Sequence, residues 1–297
     1  MAPSEASPKI AAAKPPLESG KVRPARPSRW VALAVLALMI AGAAAAPVLS
    51  PHPPLKQSLA QRLQAPMWIV GGSPDHLMGT DQLGRDILSR ILHGGRISLM
   101  VGLLAVLLSG SVGTFLGLIA GHMGGAVDRL LMRLAEIQLA FPFILLVVAI
   151  VSVLGASATN VVLALGISGW VTYAKLVRAQ VLTLRELAYV EAARALGAAG
   201  RRIAFRHLLP NAVSPVIVLA SFSVAQMIIL ESALSFLGLG VQPPTPTWGG
   251  MLADSRTYLA TAWWLATFPG LVLMLTVLAI NILGDWLRDI LDPTMAI

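Results

Sequence analysis

The sequence predicts an all-α, polytopic membrane protein with about six transmembrane helices, and three observations predict it. First, 56% of the 297 residues are hydrophobic and only 12% are charged, about half the charged fraction of a soluble domain. Second, six apolar stretches approach the ~20 residues that cross the hydrocarbon core of a bilayer at a rise of about 1.5 Å per residue. Third, the net charge of +8 is distributed between those stretches with a clear alternation. Folded in water, such a chain would expose apolar patches far beyond the few hundred Å² that soluble proteins tolerate.

Residues 1–28 are rich in Ala, Pro, Ser, Lys and Arg without apolar periodicity and read as a disordered basic tail. Trp30 to Leu49 is the first hydrophobic stretch. Ala44-Ala45-Ala46-Pro47 offers small residues at a cleavage-like position, but the run exceeds the ~7–15 residues of a signal core, so a retained first helix is expected. Residues 29–96 therefore comprise a span and an outer segment, polar and Pro-rich at first and amphipathic from about Asp81 to Arg96. The remainder, 97–297, holds five further spans at about 97–121, 129–154, 158–180, 213–238 and 262–284. In the second span Ser109, Gly113, Gly117 and Gly121 recur every four residues, a stripe that lets a neighbouring backbone approach. Ser214-Pro215 reads as the capped start of the fifth span.

Lys and Arg resist translocation. With the N-terminus inside, the inner segments carry 16 Lys and Arg and the outer segments 6, so both termini are expected to be cytoplasmic. Trp30, Trp263, Trp264 and Trp286 fall near the expected boundaries, as interfacial anchors do. The basic residues alternate with apolar runs and form no single stripe, so a nucleic-acid partner is not expected despite a pI near 10.6. Cysteine is absent, which excludes disulfides and thiolate metal sites.

One inner loop is unlike the others. Residues 186–211 read ELAYVEAARALGAAGRRIAFRHLLPN. Good helix formers run to Leu196, Gly197 permits a turn, and a second short, basic helix from about Gly200 to Leu208 is expected to stop before Pro210. Charge and propensity alone leave two readings: an ordinary loop held inside by Arg201, Arg202, Arg206 and His207, or a structured docking element.

Glu191-Ala192-Ala193, Gly197 and Leu209-Pro210 match the signature E-A-A-x(3)-G-x(9)-I-x-L-P, so the chain resembles the inner-membrane permeases of binding-protein-dependent ABC importers. His207 stands where the general pattern has Ile, while His-x-Leu-Pro-Asn is similar to the dipeptide/oligopeptide/nickel branch. Three more stretches resemble that branch: His76 to Arg90, Glu231 to Gly249, and Asp292-Pro293-Thr294. The resemblance implies a type I ABC importer permease fold. It implies that the 186–211 loop fits a cleft on an ATPase subunit, with Glu191 as the polar contact, Ala192 and Ala193 allowing close packing and Gly197 forming the bend. The implied partners are a second homologous permease subunit, two ATP-binding-cassette ATPases and an extracytoplasmic substrate-binding protein, besides membrane lipid. ATP-Mg would bind the ATPases, and no cofactor is expected on this chain.

Charges within the spans need reasons, since each costs on the order of 3 kcal/mol at the bilayer centre. Glu231, in the fifth span, lies on the translocation path or a docking surface, or else bonds to polar groups of a neighbouring helix. Arg133 and Glu136 suit an i,i+3 pair, and Lys175 and Arg178 can snorkel. The five His residues are scattered and no metal cluster is expected. No nucleophile triad, phosphate-binding loop or carboxylate pair is recognisable, so any ATP chemistry is expected on another chain; the resemblance implies a non-catalytic transport subunit for dipeptides or oligopeptides, with nickel, glutathione or another small solute as the alternative. A proton-coupled secondary transporter acting through Glu231 would show two related halves, and no internal repeat is visible; a scaffold without transport would leave the 186–211 loop without a purpose.

Overall fold

The computed structural model describes residues 28–291. The expectations for the 1–28 tail, Ser28 apart, and for Asp292-Pro293-Thr294 lie outside the described residues. No strand forms among those described, and a single Thr80–Asp86 bridge is isolated. The order of helices is α1 (Ser28–Ala44), α2 (Ala46–Leu49), α3 (Ile87–Met123), α4 (Gly125–Leu139), α5 (Phe143–Leu154), α6 (Ala158–Leu184), α7 (Ala188–Ala195), α8 (Gly200–Ile203), α9 (Leu209–Phe236), α10 (Trp248–Ser255) and α11 (Trp264–Leu291).

Among the described residues, four helical rods are long and apolar enough to cross a bilayer: α3, α6, the run Gly200–Phe236, and α11. The count rises to five if α4 and α5 are taken as one span, and α1, with 17 residues, is at the short end of the crossing range. Three expectations are corrected here. The stretch expected as one span over 129–154 is two helices bent by 88°. Pro142 lacks an N–H and its ring disfavours helical geometry at Phe141, while α5, with 12 residues, is about 18 Å long and does not cross by itself. The second basic helix does not stop before Pro210: α8 runs through a π-helical turn, Ala204–Leu208, directly into α9. That wide turn sits where Pro210 removes a donor, and the Leu209 N–H reaches back five residues to the Ala204 carbonyl. Finally, Pro215 lies inside α9 and does not open it; Ser214 Oγ donates to the Leu291 carbonyl at the end of α11.

α3 is the axis of the bundle. Its small-residue stripe lies against α6 so closely that a methyl group on Gly113 would sit 2.4 Å from the Trp170 carbonyl oxygen, and one on Gly117 2.4 Å from that of Ala174. The apolar core fills the space between α3, α6 and α9 with Val101, Ala105, Leu165, Tyr173, Met227 and Leu234. α11 packs on α9 and α1, and α10 contacts α3, α9 and α11. Lys175 and Arg178 were expected to snorkel, yet Arg178 forks onto Asp128 of α4, with Nη2 donating to Oδ2 at 2.6 Å. Arg133 and Glu136 approach to 3.6 Å at the exposed surface.

Candidate functional site: the 186–211 loop and the charged groups of the bundle

α7 begins after Leu187 and ends in a motif readable from its sequence. The Gly197 N–H donates to the Arg194 carbonyl and the Ala198 N–H to the Ala193 carbonyl, both at 3.0 Å. This pair of bonds closes the last turn only if the residue after the cap adopts a left-handed conformation. Gly197 does so, with φ +79°. The chain then turns into α8 and, without a break, into α9. Helix α7 is therefore bent against a rod that continues to the far side of the bundle.

The loop has two faces. Val190, Ile203, Ala204 and Leu208 are buried against Leu118, Val177 and Val181 at the adjoining ends of α3 and α6. Arg185 Nη1 donates to the Gly121 carbonyl at 3.3 Å, adding a polar tie to the same place. The other face is open: Glu191, Ala192, Arg194, Arg201 and Arg202 are exposed, and Leu196 is 88% exposed. Glu191, Arg201 and Arg202 make no ion pair among the described residues. Ala199, Arg201, Arg202 and Phe205 line a shallow depression of about 470 Å³. Ala193 and Leu209 are half-buried and Pro210 is exposed. His207 faces Tyr189, with ring centroids 6.4 Å apart, and Asn211 Nδ2 donates to both the His207 carbonyl and the Tyr189 hydroxyl, at 2.7 and 3.4 Å. These contacts fasten α7 to the root of α9. Beside the loop, a cavity of about 830 Å³ opens between α6, α9 and α11; Gln180, Asn211, Ser214, Phe222 and Arg288 are among its lining residues.

Glu231 is not among the residues lining that cavity and is fully buried. Ser235 Oγ donates to its Oε1 at 2.8 Å, and Ser98 Oγ of α3 to its Oε2 at 3.2 Å. Ser98 Oγ also accepts the Trp248 N–H of α10 at 3.3 Å. One carboxylate thus joins three helices.

The far end of the bundle carries groups whose meeting sequence reasoning missed. Residues 50–86 form a cap over the start of α3. Within it Asp81 Oδ2 accepts from Arg85 Nε at 2.6 Å and from Arg90 Nη1 at 2.8 Å, and both guanidinium groups also lie near Asp254 of α10, at 3.5 and 3.4 Å. The four charges interlock the cap, α3 and α10, and Asp81, Arg85 and Arg90 are buried. The alternation of Asp and Arg over 81–90 was the available signal, read only as amphipathic. His52 and His76, scattered in sequence, meet at Asp86, against the expectation of no such cluster. Trp264, expected at a membrane boundary, is buried, and its Nε1 donates to the Thr80 carbonyl at 3.3 Å.

Comparison with known proteins places this architecture. Residues 113–297 match the family model of the binding-protein-dependent transport system inner membrane component, and residues 25–66 match the N-terminal TM domain of oligopeptide transport permease C. The chain is 46% identical over 263 residues to a di/tripeptide transport system permease protein of Pseudomonas aeruginosa, covering 89% of this chain and 87% of that one. It is 44% identical to a dipeptide transport system permease protein of Alkalihalophilus pseudofirmus, covering 89% and 85%. It is 48% identical over 225 residues to a glutathione transport system permease protein of Pectobacterium atrosepticum, covering 76% and 75%. Among solved structures, the inward-facing MetNI methionine ABC transporter shares the fold, with a TM-score of 0.55 at 18% identity over 68% of this chain and 96% of that one. The chain belongs to the binding-protein-dependent transport system inner membrane component family and is a membrane-spanning permease subunit of the dipeptide/oligopeptide class of ABC importers.

Proposed function

We propose that this permease carries di- or oligopeptides into a bacterial cell across the inner membrane, with its termini and the 186–211 loop in the cytoplasm. An extracytoplasmic substrate-binding protein hands over the peptide, a second homologous permease chain completes the pathway, and two ATP-binding-cassette ATPases, which hold the ATP-Mg, bind beneath. The observation that carries the coupling role is the division of the loop into a clamped face and an open one. Val190, Ile203 and Leu208 fix it to α3 and α6, while Glu191, Arg201, Arg202 and Leu196 are left for a partner.

Mechanically, α8 and α9 act as one lever. Movement of an ATPase surface against α7 would pass through the bend at Gly197 to α8 and reach Glu231 at the other end of α9 without crossing a flexible loop. The cavity between α6, α9 and α11 would change shape with that motion, as expected of a rigid-body switch about a subunit interface. Glu231, buried and bonded to three serines, is read here as the pin that keeps α3, α9 and α10 moving together.

Peptide uptake is supported by the similarity to di/tripeptide and dipeptide permeases, and the glutathione permease relative favours glutathione as the second reading. The test is purification from native membranes followed by reconstitution with whichever ATPase and binding protein accompany the chain. Labelled dipeptide should accumulate only with ATP inside, and excess glutathione should leave it unaffected. Uptake that persists without an ATPase subunit and follows a proton gradient would overturn the importer reading; glutathione accumulation in place of dipeptide would select the second substrate.

A further inference from the structure

We propose that His52, His76 and Asp86 bind one divalent transition-metal ion of the zinc class, fastening the 50–86 cap to the first turn of α3. The site lies at the opposite end of the bundle from the 186–211 loop, since α3, with 37 residues, separates them by about 55 Å.

Each ligand is set in place by the backbone around it. Asp86 is the N-cap of α3, and its two oxygens are divided: Oδ2 accepts from the Ser89 N–H at 2.8 Å and the Ser89 hydroxyl at 2.7 Å, which leaves Oδ1 for the histidines. His52 is held from its main chain, whose N–H donates to Ser89 Oγ at 3.2 Å. His76 sits in the turn-rich stretch before α3 and is buried. The imidazole centroids are 4.6 Å apart.

The donor atoms are gathered near the spacing a small ion demands. All three lie within 4.8 Å of one another, with His76 Nδ1 at 3.0 Å and His52 Nδ1 at 3.9 Å from Asp86 Oδ1. A tetrahedral ion with bonds of about 2.0–2.1 Å places its ligand atoms roughly 3.3 Å apart, so His76 and Asp86 already stand close to ligand spacing and His52 has to swing in by up to about 1.5 Å to complete the set. His52 Nδ1 supplies an independent sign: it is shut off from solvent and has no hydrogen-bond partner, which is costly for a polar atom unless something else binds there. A cavity of about 160 Å³, lined by these three residues and also by Ser58, Gln61, Asp75 and Lys56, leaves room for a water as fourth ligand. Two imidazoles and one carboxylate suit zinc, cobalt or nickel, whereas calcium and magnesium require mostly oxygen ligands.

The experiment uses the full-length chain without a histidine tag, with its accompanying subunits, in lipid discs, stripped by chelator and titrated with Co(II). One equivalent per chain should give the intense visible bands of a four-coordinate site, and Zn(II) should bleach them. His52→Ala is the decisive variant, because its side chain donates no hydrogen bond to the fold; it should lose the bands while inserting normally. Saturating Zn(II) should raise the unfolding temperature of the parent protein and leave that of H52A unmoved. His122→Ala, at the other end of α3, should retain the full Co(II) signal. Absence of a Co(II) spectrum in the parent protein, or its survival in a correctly inserted His52→Ala protein, overturns the proposal.

Discussion

The two ends of the bundle hold their charges in opposite ways. At the cap, Asp81, Arg85 and Arg90 are buried and pair with one another and with Asp254. At the 186–211 loop, Glu191, Arg201 and Arg202 are exposed and pair with nothing among the described residues. The apolar residues follow the same division: Trp248 and Trp264 are buried beside the cap, whereas Leu196 and Phe205 stand out from the loop. Buried charges that satisfy each other specify one internal arrangement and have little left for a partner. Exposed charges, arginines among them, set beside exposed apolar side chains remain available to a partner. On the proposed coupling role, the cap is the end that is kept and the loop the end that is used.

The largest effect on stability is therefore expected at the cap. Asp81→Ala leaves two guanidinium groups facing each other in a buried site, and breaking one side of such a cluster costs about 3–5 kcal/mol. The folded fraction in detergent and the thermal midpoint should both collapse, and a near-parental midpoint would show that Asp254 suffices alone. Next comes the α3–α6 contact. Gly117→Leu must displace the Ala174 backbone, which lies 2.4 Å from the first added carbon; overpacking of this kind costs about 1–3 kcal/mol. The same change at Gly110, whose nearest neighbour in α6 is the Tyr173 ring at 3.6 Å, should be milder, and equal losses at the two positions would deny that backbone approach decides the contact.

How far these features could be read from the sequence follows from how local each is. The apolar rods, the small-residue stripe on α3 and the turn at Gly197 were legible because hydrophobic period and backbone freedom are properties of neighbouring residues. The break at Pro142 and the continuity of α8 with α9 were not. A proline is equally compatible with a stop, a kink or a first-turn position, and at Pro210 the continuous rod goes with the packing of Ile203 and Leu208 on α3 and α6. The cap was least legible of all: Asp254 lies 164 residues beyond Arg90 and His52 lies 34 before Asp86, so no window of sequence holds both halves of either cluster. The loop's candidate residues were found by their pattern, whereas the role of His207 against Tyr189 needed the fold.

A smaller loss is expected at Gly197. Replacement by Ala forces a Cβ into φ +79°, at about 1–2 kcal/mol, but no atom lies within 4 Å to clash with it. The bend should persist with a lowered midpoint and weakened transport. Gly197→Pro, whose ring cannot reach positive φ, should lose the bend and transport together while the membrane rods still insert.

The smallest effect on stability and the sharpest on function are expected at Glu191→Lys. Its side chain is exposed and makes no hydrogen bond among the described residues, so the thermal midpoint should move by no more than about 0.5 kcal/mol equivalent. The substitution nevertheless reverses a charge on the open face, beside Arg194, and turns that face uniformly basic. If the loop meets an ATPase surface, the variant should still assemble in the membrane while its substrate-stimulated ATP hydrolysis and uptake fall together. A charge reversal on the ATPase cleft that restores both would fix the contact to this residue. Uptake at the parental rate in Glu191→Lys would instead mean that the force enters the bundle elsewhere, and the distinction between an end that is kept and an end that is used would rest on exposure alone. A cysteine placed at Ala199, which is exposed on the same face, separates the remaining possibilities: in sealed cells it should resist an impermeant thiol reagent, and it should react once the membrane is opened. Labelling in intact cells would put the open face outside, where no ATPase could reach it.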